Sequence, residues 1–407
     1  MNIAIFTDDF LPRYDGTSHV IDSLSCEFVN SGHNVLVIAA DYGKDLNEFD
    51  ESLPYEVLRL KSKKQTLGHG HYIVKRKWLR KYTKLSLIAF EPDIVVSFTP
   101  NRVGYKGIKY AHKFHIPSIL EIDTKFSFVF NNDIPFSDRN LIHKIIFKIV
   151  LRKNTIPQSI KKANELITVS ENTYYEEIEK KYHIKRSHVC IRNGVEKEDI
   201  PECTPPPHTE LNDKVLKMIY VGRIVKVKNL DFSFGVCKLL KKQGVNFTFS
   251  LAGDGEDMEY FKKLADKENI SDRVKFLGLK TKEELKTIYE NSDLMLFPSV
   301  YDNDSIACLE SRMYGIPTLT IENTATAERI KQGVNGFVIK DNINEFANVI
   351  KGLAKLKVQD KKRFNELKLS TLELKPDTWA VVAKRYLDLF TFITEVAETN
   401  LEAVLEV

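Results

Sequence analysis

The 407-residue chain carries 43% hydrophobic and 29% charged residues, enough to bury more than one core, and two domains are the natural expectation for its length. A net charge of only +4 argues against a nucleic-acid binder, for which a markedly basic domain is expected. Five cysteines (Cys26, Cys190, Cys203, Cys237 and Cys308) contain no C-x-x-C pair, which fits reduced thiols better than disulfides or a zinc site.

The first residues, Met-Asn-Ile-Ala-Ile-Phe, run straight into a strand pattern with no basic segment ahead of a longer apolar one, so no signal peptide is expected. No uncharged apolar run is long enough to span a membrane. A cytoplasmic protein follows, at most peripheral on the inner face of the cell membrane.

Short apolar runs alternate with longer helical patterns, the signature of βαβ units on a parallel sheet. In the first half the predicted strands are Asn2–Thr7, Asn34–Ala39, Tyr55–Leu60, Asp93–Phe98, Ser118–Ile122 and Glu165–Val169. His19–Ser31 and Gly104–Phe114 read as helices between them. At Pro201-Glu202-Cys203-Thr204-Pro205-Pro206-Pro207 the proline density ends regular structure, and 199–214 is read as a linker.

The alternation then restarts. Lys217–Val221, Asn246–Ala252, Val274–Leu277, Leu294–Pro298 and Thr318–Ile321 are predicted strands. Asn229–Gln243, Asp257–Glu268, Glu283–Glu290, Ile306–Tyr314 and Asn344–Leu356 are predicted helices. A last amphipathic helix, about Thr378–Val396, starts after Lys375-Pro376-Asp377. The expected domains are therefore 1–198 plus 377–407, and 215–376, each a doubly wound α/β sheet. Such sheets bind ligands outside the carboxyl ends of their strands.

Three loops at those ends carry chemistry. Pro12-Arg13-Tyr14-Asp15-Gly16-Thr17 leads into the first helix, and Gly16 lets backbone approach an anion at a helix N-terminus, although the segment reads equally as a turn with an N-cap. No G-x-G-x-x-G supports a dinucleotide site. After the second half's first strand, Gly222-Arg223 and Lys228-Asn229 offer a bidentate cation and a point charge suited to a diphosphate, or simply solvated surface charge. Third, Pro298-Ser299-Val300-Tyr301-Asp302 is followed by Glu310 inside a helix. These carboxylates either accept hydrogen bonds from sugar hydroxyls or cap the helix and face solvent.

Taken in order, these segments resemble the retaining glycosyltransferases of family four, which have the GT-B fold. The resemblance also rests on Glu91-Pro92-Asp93-Ile94-Val95-Val96, Ile191-Arg192-Asn193-Gly194-Val195, Ala252-Gly253-Asp254-Gly255, Phe276-Leu277-Gly278, Gly315-Ile316-Pro317 and Trp379-x3-Ala383-x2-Tyr386. It implies two Rossmann-like domains facing across a cleft, with the last helix crossing back to the first domain. It further implies a nucleotide-sugar donor, with a UDP-sugar favoured, and no metal or other cofactor.

By this resemblance Gly222, Arg223 and Lys228 bind the donor diphosphate, and Gly16 lets the first loop reach it. Asp302 takes the donor sugar, with Ser305 and Ile306 beside it. Glu310 binds the ribose hydroxyls, and Gly278 and Leu279 meet the base. Arg223, Lys228, Asp123 and Asp302 are the expected catalytic set.

The chain departs from the family pattern at three places. Asp302 stands where glutamate is usual, Asp304-Ser305 where Phe-Gly is usual, and Asp123-Thr124 where a histidine is common. Asp123 either takes a related role or caps a helix. The departures leave the sugar open and are compatible with a weakly active or silent partner subunit of another transferase. A sugar-nucleotide epimerase on the same fold is a further reading, which the Gly-Arg…Lys arrangement disfavours.

Finally, Lys75–Lys84 holds six cations in ten residues, interleaved with Trp78 and Tyr82. It reads as an interfacial helix or as a solvated helix face. The expected partners are a nucleotide sugar and a lipid, lipid-linked or polysaccharide acceptor.

Overall fold

A computed structural model describes residues 1–13, 16–42, 46–64, 72–123, 155–200 and 214–405. The chain divides into two compact units, Met1–Asn193 with Thr378–Val407, and Gly194–Asp377. The boundary thus falls at Gly194 rather than at Asp199. The reason is burial: Val195 is 2% exposed and belongs to the second unit's core, against which Ile200 also packs. The backbone N–H of Val195 donates to the carbonyl of Asp377 (3.0 Å), tying together the two ends of that unit. The proline-rich part of the expected linker, 201–213, lies outside the described residues.

In the first unit β1 (Asn2–Phe6), β2 (Asn34–Ala40) and β3 (Glu56–Leu60) come first. A small antiparallel pair follows, β4 (Ser62–Lys64) and β5 (Tyr72–Val74), then β6 (Ile94–Ser97), β7 (Ser118–Ile122), β8 (Glu165–Thr168) and β9 (Val189–Cys190). The main sheet is parallel, in the order β3-β2-β1-β6-β7-β8-β9. Its central strands are apolar on both faces, as parallel strands covered by helices must be. The helices are α1 (Gly16–Asn30), α2 (Asn47–Glu51), α3 (Arg76–Phe90), α4 (Arg102–Phe114) and α5 (Ile156–Lys162). A helical stretch from Glu171 to Tyr182 contains a π turn at Tyr175–Glu179.

The second unit contains β10 (Leu216–Val221), β11 (Phe247–Ala252), β12 (Val274–Gly278), β13 (Leu294–Phe297), β14 (Thr318–Ile321) and β15 (Gly336–Ile339). They form a parallel sheet in the order β12-β11-β10-β13-β14-β15. Its helices are α6 (Leu230–Lys242), α7 (Met258–Lys267), α8 (Lys282–Glu290), α9 (Ile306–Met313), α10 (Ile343–Gln359) and α11 (Lys361–Glu373). The edge strand β15 and helix α11 were not expected from the sequence.

The last helix, α12 (Trp379–Leu405), belongs to the first unit. Its buried residues Trp379, Val382, Ala383, Tyr386, Phe390 and Ile393 recur at helical spacing and make one apolar stripe. That stripe meets α1, whose Phe28 ring lies 5.5 Å from Phe390 and 6.2 Å from Tyr386. Trp379 and Tyr386, singled out at the end of the sequence, are thus docking residues, 1% and 2% exposed.

Candidate functional site

In a doubly wound sheet the crevice for ligands opens where the strand order reverses. In the second unit that is between β10 and β13, and the loops after these two strands hold Arg223, Lys228 and Asp302.

Backbone geometry shapes the first loop. Tyr220, fully buried at the end of β10, stacks on Phe297 of β13 (5.9 Å, 16°), and its hydroxyl donates to the Arg223 carbonyl at 3.1 Å. The Gly222 N–H reaches Ala252, Ile224 reaches Asp254, and Gly253 reaches Gly278, lacing the ends of β10, β11 and β12 together (2.8–3.0 Å). This close approach demands glycine at 253. Its φ is +139°, and a Cβ there would sit 2.0 Å from the Gly222 carbonyl oxygen. Gly255 is equally restricted, because its Cβ would lie 2.2 Å from the Ile224 carbonyl oxygen.

Lys226–Lys228 make a single 3-10 turn, and Asn229 follows in the left-handed region (φ +58°), with its side-chain amide donating to the Pro298 carbonyl at 3.2 Å. That bond ties the β10 loop to the β13 loop across the crevice. The Lys228 ammonium forms an ion pair with Asp302 Oδ1, both side chains largely buried (15% and 19% exposed). Burial pushes the Asp302 carboxyl up, but the charge and hydrogen bond of Lys228, the nearby Ser299 hydroxyl and the charge of Arg223 outweigh it and hold the group below the usual aspartate range. Asp302 Oδ2 is buried and makes no well-formed hydrogen bond among the described residues, although the Ser299 hydroxyl lies close enough to help hold the carboxyl down. The Arg223 side chain is exposed and has no ion-pair partner among them. Three sequence-predicted residues are therefore brought together: two cations around one carboxylate.

Ser305 is the N-cap of α9, its hydroxyl accepting the Cys308 N–H (3.4 Å), and Ile306 is the first helical residue. Further along α9, Glu310 Oε2 accepts a hydrogen bond from the buried Tyr289 hydroxyl at 2.8 Å. Burial raises the Glu310 carboxyl, and the charge of Asp199 adds to this while Tyr289 opposes it. Asp199, expected in the linker, is instead paired with Lys282 of α8 at 2.6 Å. Gly278 ends β12 at φ +72°, and Leu279 after it is 77% exposed.

Gly16 and Asp123 stand in the first unit, Gly16 as the exposed first residue of α1 and Asp123 directly after β7. Thr124, with Tyr14 and Asp15 of the first loop, lies outside the described residues. The first unit also holds two carboxyl groups that sequence reasoning missed. Glu121, in the middle of an otherwise apolar stretch of β7, is wholly buried beside Tyr386. Burial, then the charge of Asp123, holds its carboxyl well above the usual range. Asp8 follows β1 and accepts hydrogen bonds from the Val103 N–H (3.0 Å) and the Thr99 hydroxyl (2.7 Å), yet burial raises it to about 6. The signal was an acid inside or directly after an apolar strand. A third missed group, in the second unit, is Arg329, which pairs with the buried Asp304.

The basic segment at 75–84 forms most of α3. Trp78 and Tyr82 stack on each other (4.9 Å, 15°), and Tyr82 packs against the core, while Trp78 is half-buried. The exposed face instead carries Lys77, Arg80, Lys81 and Lys84, continued by Leu85 and Ile88, 46% and 54% exposed. Among the described residues no helix is long and apolar enough to cross a membrane.

Two family profiles match, Glycosyltransferase Family 4 over residues 14–199 and Glycosyl transferases group 1 over residues 206–367. Alpha-monoglucosyldiacylglycerol synthase of Streptococcus pneumoniae is 23% identical over 79% of this chain and 71% of its own. The putative colanic acid biosynthesis glycosyltransferase WcaL of Salmonella typhimurium is 27% identical over 31% of this chain, a stretch spanning about a third (33%) of that relative's own length. Among solved structures, Anabaena HepE in complex with UDP superposes with a TM-score of 0.72 at 14% identity, covering 96% of this chain and 100% of that one. Sucrose-phosphate synthase from Thermosynechococcus elongatus gives 0.71 at 14% identity, covering 97% and 99%. These likenesses establish the fold, two Rossmann-like sheets of the GT-B type. With both profiles matched in order along it, the chain belongs to the family-four, group 1 glycosyltransferases.

Proposed function

We propose that this chain moves a hexose from a UDP-sugar to a hydroxyl of a lipid, lipid-linked or polysaccharide acceptor, with retention of anomeric configuration and without a metal. The observation that carries the reading is the arrangement of Arg223, Lys228 and Asp302 at the sheet's switch point.

The bond between the sugar's anomeric carbon and the diphosphate breaks as that carbon bonds to the acceptor oxygen, and the acceptor's proton passes to the departing diphosphate. Charge builds on the diphosphate, where Arg223 and Lys228 stabilise it as preorganised cations in place of a divalent ion. Asp302 keeps Lys228 oriented and presents Oδ2 to a sugar hydroxyl. Glu310, held by Tyr289, accepts from the ribose hydroxyls, and Leu279 covers the base. UDP as the nucleotide draws support from the bound UDP of the HepE structure. A lipid acceptor draws support from the diacylglycerol-based name of the Streptococcus relative and from the basic and apolar exposed face of α3.

The test is product analysis with UDP-hexoses against diacylglycerol vesicles and polysaccharide acceptors, reading released UDP and the anomeric coupling constant. A product with the donor's configuration supports the proposal, and an inverted product contradicts it. Nucleotide-sugar binding without turnover on any acceptor favours a silent partner subunit. Sedimentation with anionic vesicles checks the membrane role of α3, which reversal of Lys77, Lys81 and Lys84 to glutamate should abolish.

A further inference from the structure

The loop that carries Asp302 is held by a second ion pair. Asp304 is buried and Arg329 largely so, their side chains 2% and 10% exposed. The guanidinium meets the carboxylate through two N–H groups, Nε to Oδ1 at 2.6 Å and a terminal nitrogen to Oδ2. Such a fork fixes distance and orientation together. The far side of the fork is itself anchored. The Arg329 carbonyl accepts from the Arg312 guanidinium of α9 (3.2 Å) and from the Asn335 side-chain amide (3.0 Å). The Asn335 side-chain oxygen Oδ1 in turn accepts the Lys331 N–H at 2.7 Å.

The loop between β13 and α9 is therefore pinned on both sides of Asn303, by Lys228 at Asp302 and by Arg329 at Asp304. Asp302 cannot turn without dragging the second pair. Burying two charges is a poor route to stability, since apolar residues of the same volume serve as well or better. What a bidentate pair adds is a single geometry. On the loop it fixes, Asp302 Oδ2 is buried and makes no well-formed hydrogen bond among the described residues, with only the Ser299 hydroxyl near enough to help hold the carboxyl down. A ligand rich in hydroxyls satisfies such an atom.

We propose that the Asp304–Arg329 pair is a positioning device that fixes where Asp302 meets the donor sugar, and so sets which sugar is accepted. The inference rests on the reading of this crevice as a donor site. Asp304 and Arg329 act through the loop and leave the diphosphate and base contacts alone.

The test is titration calorimetry with UDP, UDP-glucose and UDP-galactose on the full chain and on Asp304→Asn, Arg329→Gln and the double variant. The double variant leaves no buried charge unpaired and replaces the fork by two amides, so it reads the role even where a single variant fails to fold. The expected result is UDP affinity within about threefold of the parent, with the affinity margin of the preferred UDP-sugar over UDP reduced about tenfold or more and the ranking of sugars flattened. A folded variant that keeps the parent's margin and ranking overturns the role of the pair and leaves the transfer reading standing. A parent that binds no UDP-sugar overturns the transfer reading and this inference with it.

Discussion

Replacing Lys228 by methionine keeps the aliphatic bulk and removes the charge that balances Asp302. With the two side chains 15% and 19% exposed, the pair is mostly but not wholly removed from water. Breaking a fully buried pair costs about 3–5 kcal/mol, and partial exposure reduces this to ~2–3 kcal/mol. That corresponds to amide exchange in α9 roughly 30- to 150-fold faster than in the parent at the same pH. Exchange is the right assay because Trp78 and Trp379, the two tryptophans, both lie in the first unit and do not report on the second.

The pH dependence gives the sharper check. In the parent the Asp302 carboxyl is depressed, so its stabilising contribution is present above the ordinary aspartate pKa and lost only as pH falls through the depressed value. Across the neutral range the parent is flat. Without Lys228 the rise due to burial loses its main counterweight, and the carboxyl moves upward. The destabilisation of Lys228→Met should then be largest near pH 8 and shrink as pH falls toward about 5, because protonation removes the unpaired charge. A deficit that is absent, or constant across that range, refutes the reasoning.

Other expectations follow from single groups. Gly253→Ala places a Cβ 2.0 Å from the Gly222 carbonyl oxygen at positive φ, so it should destabilise the second unit by about 1–3 kcal/mol and weaken UDP binding, read by amide exchange and calorimetry. Glu121→Gln replaces a buried acid whose folded pKa is raised; such a group stabilises fully only below its unfolded pKa of about 4.3 and loses that contribution as pH rises. The variant should match the parent near pH 4 and exceed it by on the order of 1 kcal/mol near pH 8, measured by tryptophan fluorescence in urea. Phe390→Ala, at a fully buried position against Phe28, should cost about 3–5 kcal/mol by the same assay.

The two sheets were legible because their central strands are short apolar runs bounded by turn residues, and Ser118–Ile122 and Thr318–Ile321 fall where the sequence places them. Helix α11 escaped because its buried stripe, Phe364, Leu367, Lys368 and Thr371, includes a lysine and a threonine. Lys368 is inside because its ammonium bonds the Ser292 carbonyl at 3.1 Å, a satisfaction no periodicity reveals. Strand β15 begins at Gly336, in a glycine-flanked stretch that reads as a turn.

At the site, Arg223, Lys228 and Asp302 were recoverable because each follows a legible strand. Arg329 was not, since nothing in the sequence says that Asp304 is buried or which cation answers it. The domain boundary misled for a related reason. Prolines mark where regular structure stops, but core membership is decided by the burial of Val195 and the packing of Ile200.

The central claim is that this crevice binds a diphosphate through Arg223 and Lys228. Titration calorimetry of UDP into the parent and into Arg223→Ala tests it directly, since the exposed guanidinium can be removed without leaving a buried charge behind. Loss of a charge-assisted hydrogen bond predicts binding weaker by roughly 10- to 100-fold at unchanged stability. An unchanged UDP affinity in Arg223→Ala contradicts the account.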